Sequence, residues 1–276
     1  MRSDFPLVTL ALHDALQSAR AAGLARIEAS IDLGRTIRTL EIASDHWSVG
    51  DARYPYLERC KDRTIHYWDG EGFDAAARFG DGGLIKLVPT HWGPPTFEID
   101  GIKMLVTAQV SPMDDAARKV ALVEPAGRTI LDTCAGLGYF AQRCLAERAG
   151  HIVSYEKNPD VLWLRSLNPW SPPIDAPTLD LRRGDVSECI AGHAAASFDA
   201  VLHDPPRFGI AGELYSQRFY DELARVLRRG GRLFHYIGAP NRLTSGRDVP
   251  REVGVRLERA GFSIQRIGDG ILARRK

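Results

Sequence analysis

The chain has 276 residues, enough for one large domain or two modest ones. With 44% hydrophobic and 26% charged residues it is no disordered chain, and a formal net charge of +1 excludes a whole-molecule field that would draw it onto nucleic acid or membrane. Four cysteines (Cys60, Cys134, Cys144 and Cys189) without a CxxC pair argue against a disulfide framework or a zinc site, so no metal is expected and a reducing compartment fits.

In chain order, residues 6–22 place Leu7, Leu10, Leu12, Leu16 and Ala19 at helical spacing. His13 and Asp14 interrupt that apolar stretch, which is too short to span a membrane and shows no cleavage site; the expected location is cytoplasmic. Residues 26–54 alternate apolar and polar side chains, with turn signals at Leu33-Gly34 and Ser44-Asp45, and predict a small antiparallel sheet. Short strand-like pieces punctuated by Gly and Pro continue through 60–106.

After about residue 112 the texture changes. SPMDDAARKVALVEP predicts a helix capped by Ser111 with Pro112 at its first position. Strands at RTILDT, HIVSYE, LDLRRGD, FDAVLHD and RLFHYIG then alternate with helices at GYFAQRCLAERAG, DVLWLRSLN, VSECIAGHA, ELYSQRFYDELARVLRR and DVPREVGVRLERAG. FSIQRIGDGILARR closes the chain as two antiparallel strands around Asp269-Gly270. The fold class is therefore α/β and Rossmann-like, a mostly parallel sheet whose last strand is antiparallel, preceded by a small β-rich domain. The expected division is an N-terminal α+β domain at 1–110, serving the substrate or acting as a lid, and a catalytic domain at 111–276.

The chemistry concentrates where strands end. ILDTCAGLGYFA places Gly136 and Gly138 between a buried strand and a helix, where a ligand needs backbone free of Cβ atoms and can use unpaired helix N–H groups. The third position of a dinucleotide fingerprint falls on Ala141, which that fingerprint tolerates. Asp132 separates the readings. A carboxylate there repels a pyrophosphate but suits a ligand carrying an ammonium or sulfonium group. Glu156, ending the second strand, is placed for both ribose hydroxyls of an adenosine, and Asp185, after the third, lies where an adenine amino group would be. Each acid alone has a plain alternative as a helix cap.

These residues resemble the class I S-adenosylmethionine-dependent methyltransferases. Asp132-Thr-Cys-Ala-Gly136-Leu-Gly138 looks like their first motif, Glu156 like their ribose-binding acid and Asp185 like their adenine-contacting acid. DTCAGLGY, LNPW, HDPPRFGIAGELYS and RLFHYIG, with THWGPPTFEIDGIKM in the N-terminal part, are similar to a group of predicted methyltransferases, mostly archaeal and sometimes labelled spermidine-synthase-like. The resemblance implies a seven-stranded sheet and S-adenosyl-L-methionine as cofactor. The implied cofactor set is Asp132, Cys134, Gly136, Gly138, Tyr139, Glu156, Lys157, Asp185, Val186 and Asp204.

His203-Asp204-Pro205-Pro206-Arg207-Phe208 ends the fourth strand. Methyltransferases that act on amino nitrogens carry a similar Asp/Asn-Pro-Pro-aromatic element beside the methyl group, where it orients the target nitrogen. Here the aromatic is displaced by one position and Arg207 stands in its place, as in some ribosomal RNA enzymes. Asp204 is read as an orienting acceptor. Arg207 is either an ion-pair partner of Glu213 or of the N-terminal domain, or a clamp on a carboxylate or phosphate. Tyr215 joins Asp204 and Arg207 as a catalytic candidate, whereas His203 is expected in the core. Pro205, Pro206, Phe208, His91 and Trp92 are the candidate substrate residues.

The leading functional expectation is methyl transfer by direct displacement to a nitrogen of a small molecule or an RNA base. No membrane is expected, and a homodimer is one option that the sequence leaves open. The alternatives are an aminopropyltransferase using decarboxylated S-adenosylmethionine, which Arg207 disfavours beside a polycation, and a cofactor-binding regulator without turnover. The Arg-rich C-terminal third (Arg225, Arg228, Arg229, Arg232, Arg242, Arg247, Arg251) is read mainly as solvated helix faces and ends.

Overall fold

The computed structural model describes residues 5–80, 83–238 and 248–276. Arg242 and Arg247 lie outside the described residues. The chain divides into two compact units, one of residues 1–112 with 160–171 and one of residues 113–159 with 172–276.

The first unit opens with β1 (Leu7–Val8) and α1 (Leu10–Ala21), whose N-terminus is capped by the Thr9 hydroxyl accepting from the Leu12 amide. Strands β2 (Arg26–Ala29), β3 (Arg38–Ile42), β4 (His46–Val49) and β5 (Ala52–Pro55) form the expected antiparallel meander. Then come β6 (His66–Trp68), β7 (Phe73–Ala75), β8 (Ala77–Gly80), β9 (Gly83–Val88), β10 (Thr96–Ile99) and β11 (Ile102–Lys103). They build a three-stranded sheet β1-β6-β7 and a four-stranded sheet β11-β10-β9-β8. Leu12 and Leu16 of α1 pack with Leu40, Trp47 and Tyr54 as this unit's core. Residues 160–171 join it because Asp160 pairs with Arg78 at 2.6 Å and Trp170 Nε1 donates to the Leu33 carbonyl at 3.0 Å.

The second unit contains α2 (Pro112–Ala121), β12 (Thr129–Asp132), α3 (Tyr139–Ala146) and β13 (His151–Glu156). Helix α4 (Pro159–Leu167), most of it in the first unit, links β13 to β14 (Leu179–Arg183). There follow α5 (Val186–Cys189), β15 (Phe198–His203), α6 (Gln217–Val226), β16 (Leu227–Tyr236), α7 (Val249–Arg259), β17 (Phe262–Ile267) and β18 (Gly270–Arg275). The seven strands form one sheet in the order β14-β13-β12-β15-β16-β18-β17, and β18 alone runs antiparallel to its neighbours. β12 and β15 are buried on both faces, which is why IL and AVL read as unbroken apolar runs rather than alternating ones. Leu131, Val201, Leu223 and Leu233 share the large core between sheet and helices, each such side chain contributing roughly 1.5–3 kcal/mol by its removal from water.

Two local expectations shift. The long helix over ELYSQRFYDELARVLRR is instead a 3-10 turn at Gly212–Tyr215 followed by α6. The Ser216 hydroxyl caps α6 by accepting from the Phe219 amide, and Leu227, Arg228 and Arg229 already belong to β16. Gly230-Gly231 therefore lies within the strand, where Gly230 takes φ +74° at an irregularity in the β15–β16 pairing. The final hairpin turns on Gly268-Asp269, one residue earlier than read, because Ile267 and Gly270 are already paired.

Candidate functional site

The parallel strands β14, β13, β12 and β15 end side by side on one edge of the sheet, and each delivers an acid there. Asp132 is the last residue of β12 and is 1% exposed; its Oδ2 accepts from the Ser154 hydroxyl of β13 at 2.7 Å. The loop beyond it carries Gly136 at φ +50° and Gly138 at φ +83°, left-handed backbone that favours glycine. Gly138 is also the N-cap of α3, so the helix begins without a side chain over its first amides.

Glu156 ends β13 and braces that loop. One of its oxygens accepts from the Gly136 amide at 2.9 Å, the other from the Asn158 amide at 2.9 Å. A carboxylate oxygen has two lone-pair directions, so Glu156 can take ribose hydroxyls as well. Asp185 caps α5, with Oδ1 accepting from the Ser187 amide at 2.9 Å and hydroxyl at 2.7 Å. Burial works against its charge, but the Ser187 hydrogen bonds and Lys157 outweigh it and hold its pKa below the usual value. The helix-cap role uses Oδ1, and Oδ2 accepts from Lys157 at 3.4 Å.

The remaining cofactor candidates differ in place. Lys157 is half exposed and bridges Asp185 and Glu213, at 3.4 and 3.6 Å. Tyr139 is buried at the start of α3. The Val186 side chain belongs to the core, which leaves its backbone as the part at the site. Cys134 packs against the same core, and burial pushes its thiol well above the ordinary range, so it is a neutral lining group and no nucleophile.

Asp204 follows β15 directly. Its Oδ2 lies 3.4 Å from the Lys119 ammonium, and its side chain is 22% exposed. Burial raises its pKa although Lys119 pulls the other way. His203, one residue earlier, points to the opposite side and is enclosed, as expected. Its Nε2–H donates to the Leu214 carbonyl at 3.1 Å, which leaves Nδ1 to accept from the Thr133 hydroxyl at 2.7 Å. His235 packs against it with ring centroids 4.4 Å apart, donates from Nδ1 to the Tyr236 carbonyl and accepts from the Tyr220 hydroxyl.

Tyr215, a catalytic candidate from sequence, is enclosed. Its hydroxyl donates to the Pro206 carbonyl at 3.0 Å and its ring stacks edge-on to Phe208 at 5.5 Å. It therefore braces the Pro205-Pro206 segment from behind. Arg207 is exposed at the tip of that loop and forms no ion pair among the described residues; Glu213, its suggested partner, is taken by Lys157. His91 and Trp92 belong to the first unit, where Trp92 Nε1 donates to the Thr107 carbonyl at 3.0 Å. Much of the C-terminal arginine excess is spent on ordinary pairs: Arg225 with Glu222, Arg228 with Asp199 and Arg232 with Glu124.

Sequence reasoning missed Lys119 and Asp115. Ala116 and Val120 mark the buried stripe of α2, and Lys119 stands between them, three residues after Ala116, an odd position for a lysine. Asp115 stands four residues before it and pairs with it at 2.7 Å. Those two signals were available in the sequence.

No family model matches the chain. The uncharacterized protein MJ1233 of Methanocaldococcus jannaschii is 39% identical over 253 residues, spanning 88% of this chain and 86% of MJ1233. The chain belongs to the MJ1233 family. More distantly, the 23S rRNA (uracil(1939)-C(5))-methyltransferase RlmD of Pseudomonas syringae is 28% identical over 212 residues, covering 74% of this chain and 43% of RlmD. The structure of a probable spermidine synthase from Corynebacterium glutamicum shares the fold with a TM-score of 0.54 at 14% identity, over 72% of this chain and 79% of that one. This MJ1233 relative thus has the fold of the class I S-adenosylmethionine-dependent methyltransferase superfamily, whose cofactor is S-adenosylmethionine. The donor set fits that group: acids for ribose, adenine and a cationic amino-acid end, and a glycine turn without Cβ atoms. No helix among the described residues is long and apolar enough to cross a membrane.

Proposed function

We propose that this chain is an S-adenosylmethionine-dependent methyltransferase acting on a nitrogen of a small molecule or an RNA base, in the cytoplasm. One observation carries the reading: Asp132, Glu156, Asp185 and Asp204 stand at the ends of four adjacent parallel strands of one sheet. When bound, the cofactor supplies a methyl group activated on a sulfonium. Glu156 and Asp185 hold the adenosine part, and Asp132 supplies negative charge in the first glycine loop. Asp204 accepts a hydrogen bond from the acceptor N–H and so aligns the nitrogen lone pair, which is the main requirement of a direct displacement. Tyr215 and the two prolines keep that carboxylate from swinging away. Arg207, exposed and without a protein counter-ion among the described residues, suits an anionic part of the acceptor.

A second reading, aminopropyl transfer, draws support from the fold shared with the spermidine synthase. Lys119 weighs against it, because an ammonium 3.4 Å from Asp204 repels a polycation at that carboxylate. The deciding experiment is calorimetric titration with S-adenosylmethionine, S-adenosylhomocysteine, decarboxylated S-adenosylmethionine and NAD. Tight S-adenosylhomocysteine binding with little affinity for the decarboxylated form supports methyl transfer. Preference for the decarboxylated form replaces it with aminopropyl transfer, and binding of NAD alone removes both.

A further inference from the structure

Lys119 is 2% exposed, and burying an ammonium group is costly unless opposite charge surrounds it. Its Nζ lies 2.7 Å from Asp115 Oδ2, 3.4 Å from Asp204 Oδ2 and 3.9 Å from the centre of the Tyr236 ring, a cation–π contact. Asp115 is held from its other side by Arg118 at 2.8 Å, and Arg118 reaches Asp269 in the β17–β18 turn at 3.1 Å. The chain of charges Asp269–Arg118–Asp115–Lys119–Asp204 therefore runs from the far hairpin to the end of β15. Among the described residues Lys119 is the one hydrogen-bonding partner of the Asp204 side chain.

We infer that Lys119 is a positioning residue for Asp204: its ammonium, anchored by Asp115, fixes one carboxylate oxygen of Asp204 and keeps the group ionised, leaving the rest of the carboxylate at the surface for the acceptor nitrogen. The inference deepens the methyltransferase reading and rests on Asp204 facing the acceptor. A neutral aspartic acid would offer an O–H to a nitrogen lone pair that must stay directed at the methyl carbon. Buried as it is, Asp204 drifts toward that neutral form, and Lys119 opposes the drift. Asp204 is faced by Lys119 and Asp115 from α2, Asp269 from the hairpin turn, Tyr236 from β16 and Cys134 from the loop after β12. Lys119 is the only cation of that set.

The test is a carbon-13 NMR titration of the Asp204 carboxyl in the intact protein, assigned by the signal that D204N removes. K119M raises the Asp204 pKa by about one unit or more, and K119R leaves it within about half a unit of wild type. That pair of results supports the inference, since a lysine that only filled space would leave the titration unmoved. A K119M value within about half a unit of wild type, or a K119R shift as large as that of K119M, overturns it. If K119M does not fold, K119Q takes its place with the same two outcomes. The titration needs no acceptor, so it stands or fails apart from the methyltransferase reading.

Discussion

Oε2 of Glu156 accepts the Gly136 amide at 2.9 Å, so the acid that ends β13 also holds the turn that ends β12. One side chain thereby couples the ribose side of the proposed cofactor pocket to its glycine floor. Glu156→Gln keeps the size but loses the charge and one acceptor oxygen. We expect S-adenosylhomocysteine affinity to fall by roughly tenfold to a hundredfold, or about 1.5–3 kcal/mol for hydrogen bonds to a charged group. Unchanged affinity by calorimetry would remove Glu156 from the pocket.

Asp204→Asn separates binding from turnover. Incorporation of labelled methyl from S-adenosylmethionine into a cell extract is expected to drop by about a hundredfold or more, since alignment of the acceptor is lost. S-adenosylhomocysteine affinity should stay within about threefold. Full labelling by D204N would mean that Asp204 does not face the acceptor, and retained binding with no labelling by the wild type would favour a regulator.

Gly138 adopts φ +83° as the N-cap of α3. A Cβ there costs about 1–2 kcal/mol. For a chain of this size, Gly138→Ala should lower the melting temperature by roughly 2–4 °C per kcal/mol, with a parallel loss of cofactor affinity. A melting temperature at or above wild type would show that the loop rearranges without strain.

His203 and His235 are both enclosed, and burial drives their pKa values down, His235 from 6.5 to about 3. The unfolded chain takes up protons near pH 6.5 while the folded one does not. Stability is therefore full above pH 6.5 and falls as the pH drops from there toward 3. Between pH 6.5 and 5 the unfolding free energy should decline by roughly 1–1.5 kcal/mol per pH unit for each histidine. His235→Gln should halve the slope that denaturant titrations measure; an unaltered slope would place the pH dependence elsewhere.

Much of this protein is local in origin. The pattern of apolar runs and turn residues after residue 112 already specifies strands that alternate with helices, because the central strands β12, β13 and β15 are buried on both faces and read as apolar runs. The Gly136–Gly138 turn and the acids Asp132, Glu156 and Asp185 were legible for the same reason: they sit at strand ends whose positions neighbouring residues define. The end of α6 was not, since LARVLRR favours helix by composition and only pairing of Leu227 with Phe198 draws it into β16.

What the amino-acid sequence by itself determined is the element order, the strand ends and the chemistry gathered on them. What only the tertiary structure decided is which of those groups meet. Lys119 and Asp204 are 85 residues apart, and nothing local to either announces the other. Tyr215 stood with Asp204 and Arg207 as a catalytic candidate, but packing turned its hydroxyl onto Pro206 and enclosed it. Periodicity reports how a side chain leaves its own backbone; the partner it finds depends on distant segments brought alongside by burial of the shared core.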